Sequence, residues 1–242
     1  MLYAFIPARA GSKRIANKNF KRLSSKSLII YTIEAAVKAK IFDQIYISSD
    51  DKVCANIAKK YNIKFVKRPQ CLAGDTSPDV GWIEHLLSGI NQCDKNSYFM
   101  ILRPTNPFRT SRTIIRALDK FNLANIASKT MYTGLKSIQK ITERPEKMWR
   151  VTPSGDLSSY QPNQFLGIIP QYEAQSYVFQ ELYIQNGCID LCSIENLDCS
   201  ASYLGPKIKV FFTKGYEGFD INEPHDWDYA EYLLKKGILN GY

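Results

Sequence analysis

Arg9, Lys13 and Arg14 flank Gly11 in the run Ile6-Pro-Ala-Arg-Ala-Gly-Ser-Lys-Arg14, with small residues at Ala10 and Ser12. Small residues let backbone N–H groups come close to an anion. Arginine offers a planar fork to phosphate oxygens, and lysine a point charge. The first 26 residues hold seven Lys/Arg and no acid. Binding a polyphosphate is the chemistry these residues suit. The pattern is neither the Gly-x-x-x-x-Gly-Lys-Ser/Thr loop nor the Gly-x-Gly-x-x-Gly dinucleotide fingerprint. Taken alone, the run is nearly as compatible with a solvated basic loop.

The elements around this loop decide between those readings. Leu2–Ile6 is a short apolar run that predicts a buried strand. Ser27 reads as a helix N-cap, followed by Ile29, Ile33, Ala36 and Val37 at helical spacing. Strands are predicted over Ile45–Ser48, Ile63–Val66, Tyr98–Leu102 and Ile208–Phe212. Helices are predicted over Asp51–Tyr61, Val80–Ile90, Thr113–Phe121 and Pro224–Lys236, the last with proline in its first turn. Alternating strands and helices predict an α/β fold, Rossmann-like, with a mostly parallel sheet flanked by helices. Such sheets bind ligands beyond the carboxyl ends of their strands. Those ends carry Arg9 to Asn19, Ser49-Asp50-Asp51, Arg68, and Arg103-Pro-Thr-Asn-Pro-Phe-Arg109. Residues 129–203 are less regular and rich in aromatics, including Tyr132, Trp149, Tyr160, Phe165, Tyr172, Tyr177, Phe179 and Tyr183. They read as a small hairpin and loop insertion within a single domain spanning 1–242, with aromatic surface suited to a dimer interface.

The 242-residue chain is 45% hydrophobic and 23% charged, the proportions of a globular protein. Its net charge of +9 is spread along the chain. No zinc finger or RNP-like motif accompanies it, so neither nucleic acid nor membrane is the expected partner. The opening apolar run is too short for a signal peptide and no stretch spans a membrane, so the expected location is the cytoplasm. Six cysteines, at 54, 71, 93, 188, 192 and 199, form no pair near either histidine and read as buried thiols rather than a zinc site. Neither His85 nor His225 has an evident partner that would make it a general base.

The run Ile6-Pro-Ala-Arg-x-Gly-Ser-Lys-Arg-Ile-x-Asn-Lys-Asn19 resembles the opening motif of the acylneuraminate cytidylyltransferases. The likeness continues in order through Phe42–Asp51, Arg68–Pro78, Leu102-Arg-Pro-Thr-Asn-Pro-Phe-Arg-Thr110, Lys147-Met-Trp149, Gln185-Asn-Gly187 and Gly218-Phe-Asp-Ile-Asn222. It therefore spans nearly the whole chain. The resemblance implies transfer of CMP from CTP to an acidic 2-keto sugar, with release of pyrophosphate. Arg9, Ser12, Lys13 and Asn19 would then hold the triphosphate, with Arg9, Lys13 and Asp220 as the catalytic set. Ala8, Arg68 and the turn Asp75-Thr76-Ser77 would frame the cytosine, and that turn could equally cap the following helix.

Arg103, Thr105, Arg109, Tyr183, Gln185 and Asn186 are the candidates for the sugar. Asp220 and Asn222 are the candidates for Mg²⁺, the implied cofactor. The sequence departs from the family's pattern at two of these positions. Asn222 stands where many members have Asp, and Arg103 where Gln is common. Arg103 could pair with an acidic substituent of the sugar or with a nearby acid of the protein. The implied partners are CTP and the sugar acid, and the implied assembly is a homodimer. Two alternatives stay open at this point. One is a Kdo-type or other sugar nucleotidyltransferase on the same fold; the other is a non-catalytic nucleotide-binding homologue.

Overall fold

The computed structural model describes residues 1–90, 94–127, 131–141, 143–160, 165–166, 169–175, 179–198 and 202–237. Cys93, Tyr177, Cys199 and the expected insertion boundary at 129 lie outside them. The chain forms two compact units, one of Met1–Ile138 with Asn186–Tyr242, the other Gln139–Gln185.

One sheet is built from β1 (Leu2–Pro7), β2 (Gln44–Ser49), β3 (Lys64–Lys67), β4 (Tyr98–Ile101), β5 (Gly134–Lys140), β6 (Tyr183–Ser193) and β7 (Ile208–Phe212). Across the sheet they run β7-β5-β6-β4-β1-β2-β3. β1 pairs in parallel with β2 and β4, β2 with β3, and β7 with β5. β6 runs antiparallel to β4. The helices are α1 (Leu28–Ala39), α2 (Val53–Lys60), α3 (Asp79–Ser88), α4 (Ser111–Ala127) and α5 (Pro224–Lys235). The mostly parallel sheet with flanking helices is the architecture expected. Ser27 does stand at the N-cap of α1, but its side chain makes no capping hydrogen bond.

Alternation along β1 divides the core. Tyr3 and Phe5 face Trp82, Ile83 and Leu86 of α3. Ala4 and Ile6 face Ile29 and Ile33 of α1 and Ala117 and Phe121 of α4. Phe5 stacks on Phe99 of β4, with ring centroids 4.9 Å apart. A third cluster joins Trp227, Ala230 and Leu233 of α5 to Ile15, Leu28 and Ile221. Through it α5 fastens both the loop after β1 and the segment carrying Asp220. Fully burying side chains of this size contributes roughly 1.5–3 kcal/mol each.

The insertion expected over 129–203 is narrower. Gly134–Lys140 and Tyr183–Ser193 are strands of the main sheet, and the second unit is Gln139–Gln185. The strand β6 escapes a periodicity reading because residues 188–193 are buried on both faces and include Asp190. Within the second unit, Trp149–Val151 pairs with Leu157–Ser159, and Phe165–Leu166 pairs with Ile169–Pro170. Trp149 packs on Tyr172 there, with centroids 4.7 Å apart. Cys54, Cys188 and Cys192 are buried, whereas Cys71 is exposed and departs from the expectation of buried thiols. Among the described residues no helix is long and apolar enough to cross a membrane.

Gly134 opens β5 where two backbones converge. A Cβ there would lie 2.8 Å from the Leu204 carbonyl oxygen and 3.0 Å from that of Leu191. Neither carbonyl is a flexible tip, so Gly134→Ala should cost about 1–3 kcal/mol of stability. A lower midpoint in urea unfolding checks this; an unchanged midpoint would show that the two backbones part at no cost.

Candidate active site

The chain passes from β1 to β2 and β3 on one side, then crosses to β4 on the other side of β1. The crevice beyond the carboxyl ends of β1 and β4 is the switch point where such sheets bind ligands. A cavity of about 330 Å³ lies there. Its wall brings together Arg9, Ser12, Lys13 and Asn19 after β1, and Arg68, Asp75 and Ser77 after β3. Arg103 and Thr105 after β4 and Asp220 and Asn222 before α5 complete the set. Residues more than 200 positions apart in sequence thus share one wall.

The loop after β1 is fixed at both ends. Ala8 is fully buried; its N–H donates to the Ser48 carbonyl at 2.9 Å, and its carbonyl accepts from Ser49 Oγ. Both of its backbone groups are thus engaged by β2, and it does not line the cavity. Ala10 N–H donates to Asp50 Oδ1 at 2.9 Å. Asn19 Nδ2 donates to the Arg9 carbonyl at 2.9 Å and so closes the loop on itself. Between these ties Arg9 and Lys13 both reach Asp75, at 2.6 and 2.5 Å. Their charges hold the Asp75 carboxyl below the usual carboxylate range, the Lys13 bond first and the Arg9 bond next. Thr76 of the same turn is exposed and outside the cavity wall, while Ser77 Oγ donates to the Cys71 carbonyl at 3.2 Å.

Arg68 is 5% exposed. Its guanidinium donates to Ser48 Oγ and the Ser48 carbonyl, both at 3.1 Å, and lies over the Trp82 ring at 4.9 Å. Burial depresses its pKa to about 10, against the opposing charges of Asp50 and Asp79.

The other side of the cavity is anchored by the loop after β4. Thr105 carbonyl accepts from Ile221 N–H at 2.9 Å. Asn106 Nδ2 donates to the carbonyls of Asn186 and Phe219, at 3.0 and 3.2 Å. Asp220 is held between those two ties. Asp226 Oδ2 accepts from the N–H groups of Asn222 and Glu223, at 2.8 and 2.7 Å, in a capping box that starts α5. Lys18 is a cavity residue that the sequence reading does not single out. Its ammonium donates to the Ile221 carbonyl at 2.7 Å. Burial lowers its pKa, and the neighbouring Asp220 opposes that shift. Its place within Asn17-Lys-Asn19 of the opening motif is the signal that could have marked it.

Two expectations for the sugar are corrected by burial. Arg109 is 2% exposed and does not line the cavity. It donates to the Cys188 carbonyl at 2.5 Å, to Thr32 Oγ1 at 2.7 Å and to the Arg103 carbonyl at 3.0 Å. It is a brace between α1, the loop after β4, and β6. Asn186 is 6% exposed, also outside the cavity wall, and donates to Thr213 Oγ1 at 2.9 Å. Tyr183 and Gln185 belong to the second unit, where Tyr183 OH donates to Glu181 at 2.9 Å. Arg103 lines the cavity and also pairs with Asp79 at 2.7 Å, which is the protein-acid partner left open by the sequence.

Six cations (Arg9, Lys13, Arg14, Lys18, Arg68, Arg103) and three acids (Asp75, Asp79, Asp220) line the cavity. An excess of three positive charges favours a polyanionic ligand. Asp220 supplies a candidate cation ligand. Its Oδ1 is buried with no hydrogen-bond partner, while Oδ2 accepts from Asn222 Nδ2 at 2.7 Å. The Asn222 oxygen in turn faces Arg14 at 3.3 Å. Asn222 therefore orients Asp220 through one end of its amide and meets Arg14 at the other. Among the described residues no three His, Cys, Asp or Glu converge as a cage. This donor set fits a hard cation such as Mg²⁺ that takes most of its ligands from phosphates and water.

A family model described as Cytidylyltransferase matches residues 3–175. The chain belongs to the cytidylyltransferase family. It is a nucleotidyltransferase enzyme by that membership, with the polyphosphate-suited cavity to match. It is 29% identical to a CMP-N,N'-diacetyllegionaminic acid synthase of Legionella pneumophila, over 97% of this chain and 96% of that protein. It is 28% identical to an N-acylneuraminate cytidylyltransferase of Escherichia coli over 97% of this chain, but spans only 52% of that protein. A pseudaminic acid cytidylyltransferase of Campylobacter jejuni is 37% identical over 48% of this chain and 51% of its own length. The fold matches that of a CMP:2-keto-3-deoxy-manno-octonic acid synthetase complexed with CTP, with a TM-score of 0.68. That likeness covers 97% of this chain and 98% of the other at 15% identity, and shows the fold alone.

Arg109→Met would remove a buried brace and its three charge-assisted hydrogen bonds. Losing charge-assisted bonds of this kind costs about 1.5–3 kcal/mol each. The variant should therefore melt well below the parent chain in a thermal scan; a melting point within a degree would show that Arg109 is not a brace.

Proposed function

We propose that this enzyme transfers CMP from CTP to the anomeric hydroxyl of an acidic 2-keto sugar, a nonulosonic acid of the sialic or legionaminic type, with release of pyrophosphate. The observation that carries this reading is the cavity itself. A loop bearing Arg9, Lys13 and Arg14 at the carboxyl end of β1 faces Asp220 across the switch point. Names of relatives that act on sialic, legionaminic and pseudaminic acids support the substrate class.

In the reaction the sugar oxygen bonds to the α-phosphorus of CTP, the bond to the bridging oxygen breaks, and pyrophosphate leaves. The hydroxyl proton is released. Charge grows on the leaving oxygens, and cations fixed in a crevice lower the energy of that state. Arg9, Lys13 and Arg14 are placed for this task, with Lys18 beside Asp220. Arg9 and Lys13 must first exchange Asp75 for the phosphates. Asp220 would hold Mg²⁺ through its unpartnered Oδ1, and the ion would supply positive charge to offset that of the phosphates. Asn222 keeps Asp220 turned toward that position. Arg68 is the wall against which the base is read, and Arg103 and Thr105 border the space left for the sugar. A homodimer in the cytoplasm, where CTP is supplied, completes the reading.

Pyrophosphate release should be measured with CTP, Mg²⁺ and a panel of 2-keto sugar acids. Release with at least one of them is the expected result; the absence of both release and CTP binding would falsify the reading. Lys13→Ala should abolish turnover while the protein stays folded by circular dichroism, and near-normal turnover would remove Lys13 from the mechanism. Asn222→Asp adds a carboxylate beside Asp220, so half-maximal activity should need less Mg²⁺. A metal titration that does not move would show that position 222 acts only by orienting Asp220.

A further inference from the structure

The two arginine walls of the cavity share one carboxylate. Asp79 is the first residue of α3 and lines the cavity. Its Oδ2 pairs with Arg103 at 2.7 Å. Its Oδ1 accepts from Trp82 Nε1 at 2.8 Å. Trp82 is 2% exposed, and its ring carries the Arg68 guanidinium at 4.9 Å. A single side chain thus touches one arginine directly and the other through an indole. Arg103 and Trp82 together hold the Asp79 carboxyl below the usual range against its burial, and Arg68 adds to this.

A second acid competes for Arg103. Asp190, 1% exposed, lies 3.6 Å from the same guanidinium nitrogen. It is already satisfied by Lys136 at 3.1 Å and Tyr203 OH at 3.0 Å. Gly187, at φ +64, leaves room for the stem of Arg103; a Cβ there would lie 3.2 Å from Arg103 Cδ. Of the two acids that meet the guanidinium, Asp79 sits at the cavity wall and Asp190 is buried. Attraction between opposite charges falls with distance, so the 2.7 Å partner prevails over the 3.6 Å one. Removing the charge of Asp79 would leave Asp190 as the stronger attraction and draw Arg103 out of the wall.

We propose that Asp79 is the positioning residue that sets both substrate walls of the cavity, Arg103 by an ion pair and Arg68 through Trp82. This rests on the cytidylyltransferase reading above. The competing account is that Asp79 only favours the N-terminus of α3, as acids in a first helical turn do. The two accounts differ in what a substitution moves. A helix-terminal acid changes stability; a positioning residue changes substrate constants.

The experiment compares Asp79→Asn and Trp82→Phe with the parent chain. CTP binding is read by calorimetry, and the KM of the sugar acid that supports parent turnover by pyrophosphate release. Thermal melting is recorded alongside. Losing one charge-assisted contact corresponds to about a tenfold change in an affinity constant. Asp79→Asn should weaken CTP binding and raise the sugar KM, the latter by about that factor, with kcat less affected. Trp82→Phe keeps the ring and loses the N–H, so it should weaken CTP binding and move the sugar KM less. An Asp79→Asn protein with a lower melting point and unchanged constants overturns the proposal. Should Asp79→Asn fail to fold, Trp82→Phe decides: unchanged CTP affinity overturns it, and a selective loss of CTP affinity supports it. A parent chain that binds no CTP would instead sink the functional reading itself, and this proposal with it.

Discussion

Three arginines, Arg68, Arg103 and Arg109, are wholly or largely buried near the carboxyl ends of β3 and β4, and the site depends on how they are satisfied. An ionised group taken out of water without partners costs several kcal/mol. Each of the three meets that cost differently. Arg109 spends its two terminal nitrogens on Thr32, Cys188 and the Arg103 carbonyl, and becomes scaffold. Arg68 binds Ser48 and leans on Trp82, leaving it at the cavity wall. Arg103 takes a carboxylate at the rim. The division between brace and wall follows from which acceptors surround each guanidinium, not from the residue type.

The same corner shows how distant segments are made to cooperate. The loop after β1 is tied down by β2, through Ser48, Ser49 and Asp50, and by its own Asn19. The segment before α5 is tied down by the loop after β4, through Thr105 and Asn106. Packing of Ile15 and Ile221 against Trp227 joins the two halves. The cations of the loop after β1 and the Asp220 carboxylate therefore face each other across a preformed crevice. Preorganised charge of this kind does not have to be reoriented during reaction. The exception is the Arg9–Asp75–Lys13 cluster, in which a protein carboxylate sits on the cations that a triphosphate would use.

Much of the fold was legible in the chain. Local apolar runs and helical spacing marked β1 to β4, β7 and all five helices, because each buries its own stripe or both faces within a short span. Ser27 and Pro224 marked helix starts by their position, although Ser27 caps with backbone geometry alone. The strand β6 was not legible, since its buried stretch contains Asp190, whose charge is offset by Lys136 and Tyr203 from other segments. Long-range pairing of that sort leaves no local period.

At the site, the ordered motifs from Ile6 to Asn222 determined the family, and with it the kind of ligand the loop after β1 should hold. A basic, glycine-containing segment at the end of a strand carries that information in its own residues. What only the tertiary structure decided is which side chains reach the cavity. Sequence could not separate Arg103 from Arg109, six positions apart in one motif; burial assigned the first to the wall and the second to the core. Nor could it single out Lys18 or Asp79, because an ammonium beside Asp220 and a carboxylate shared by two arginines are relations between segments. Residue types set what chemistry is available, and the closure of the sheet sets which groups lose their water and which remain to meet a substrate.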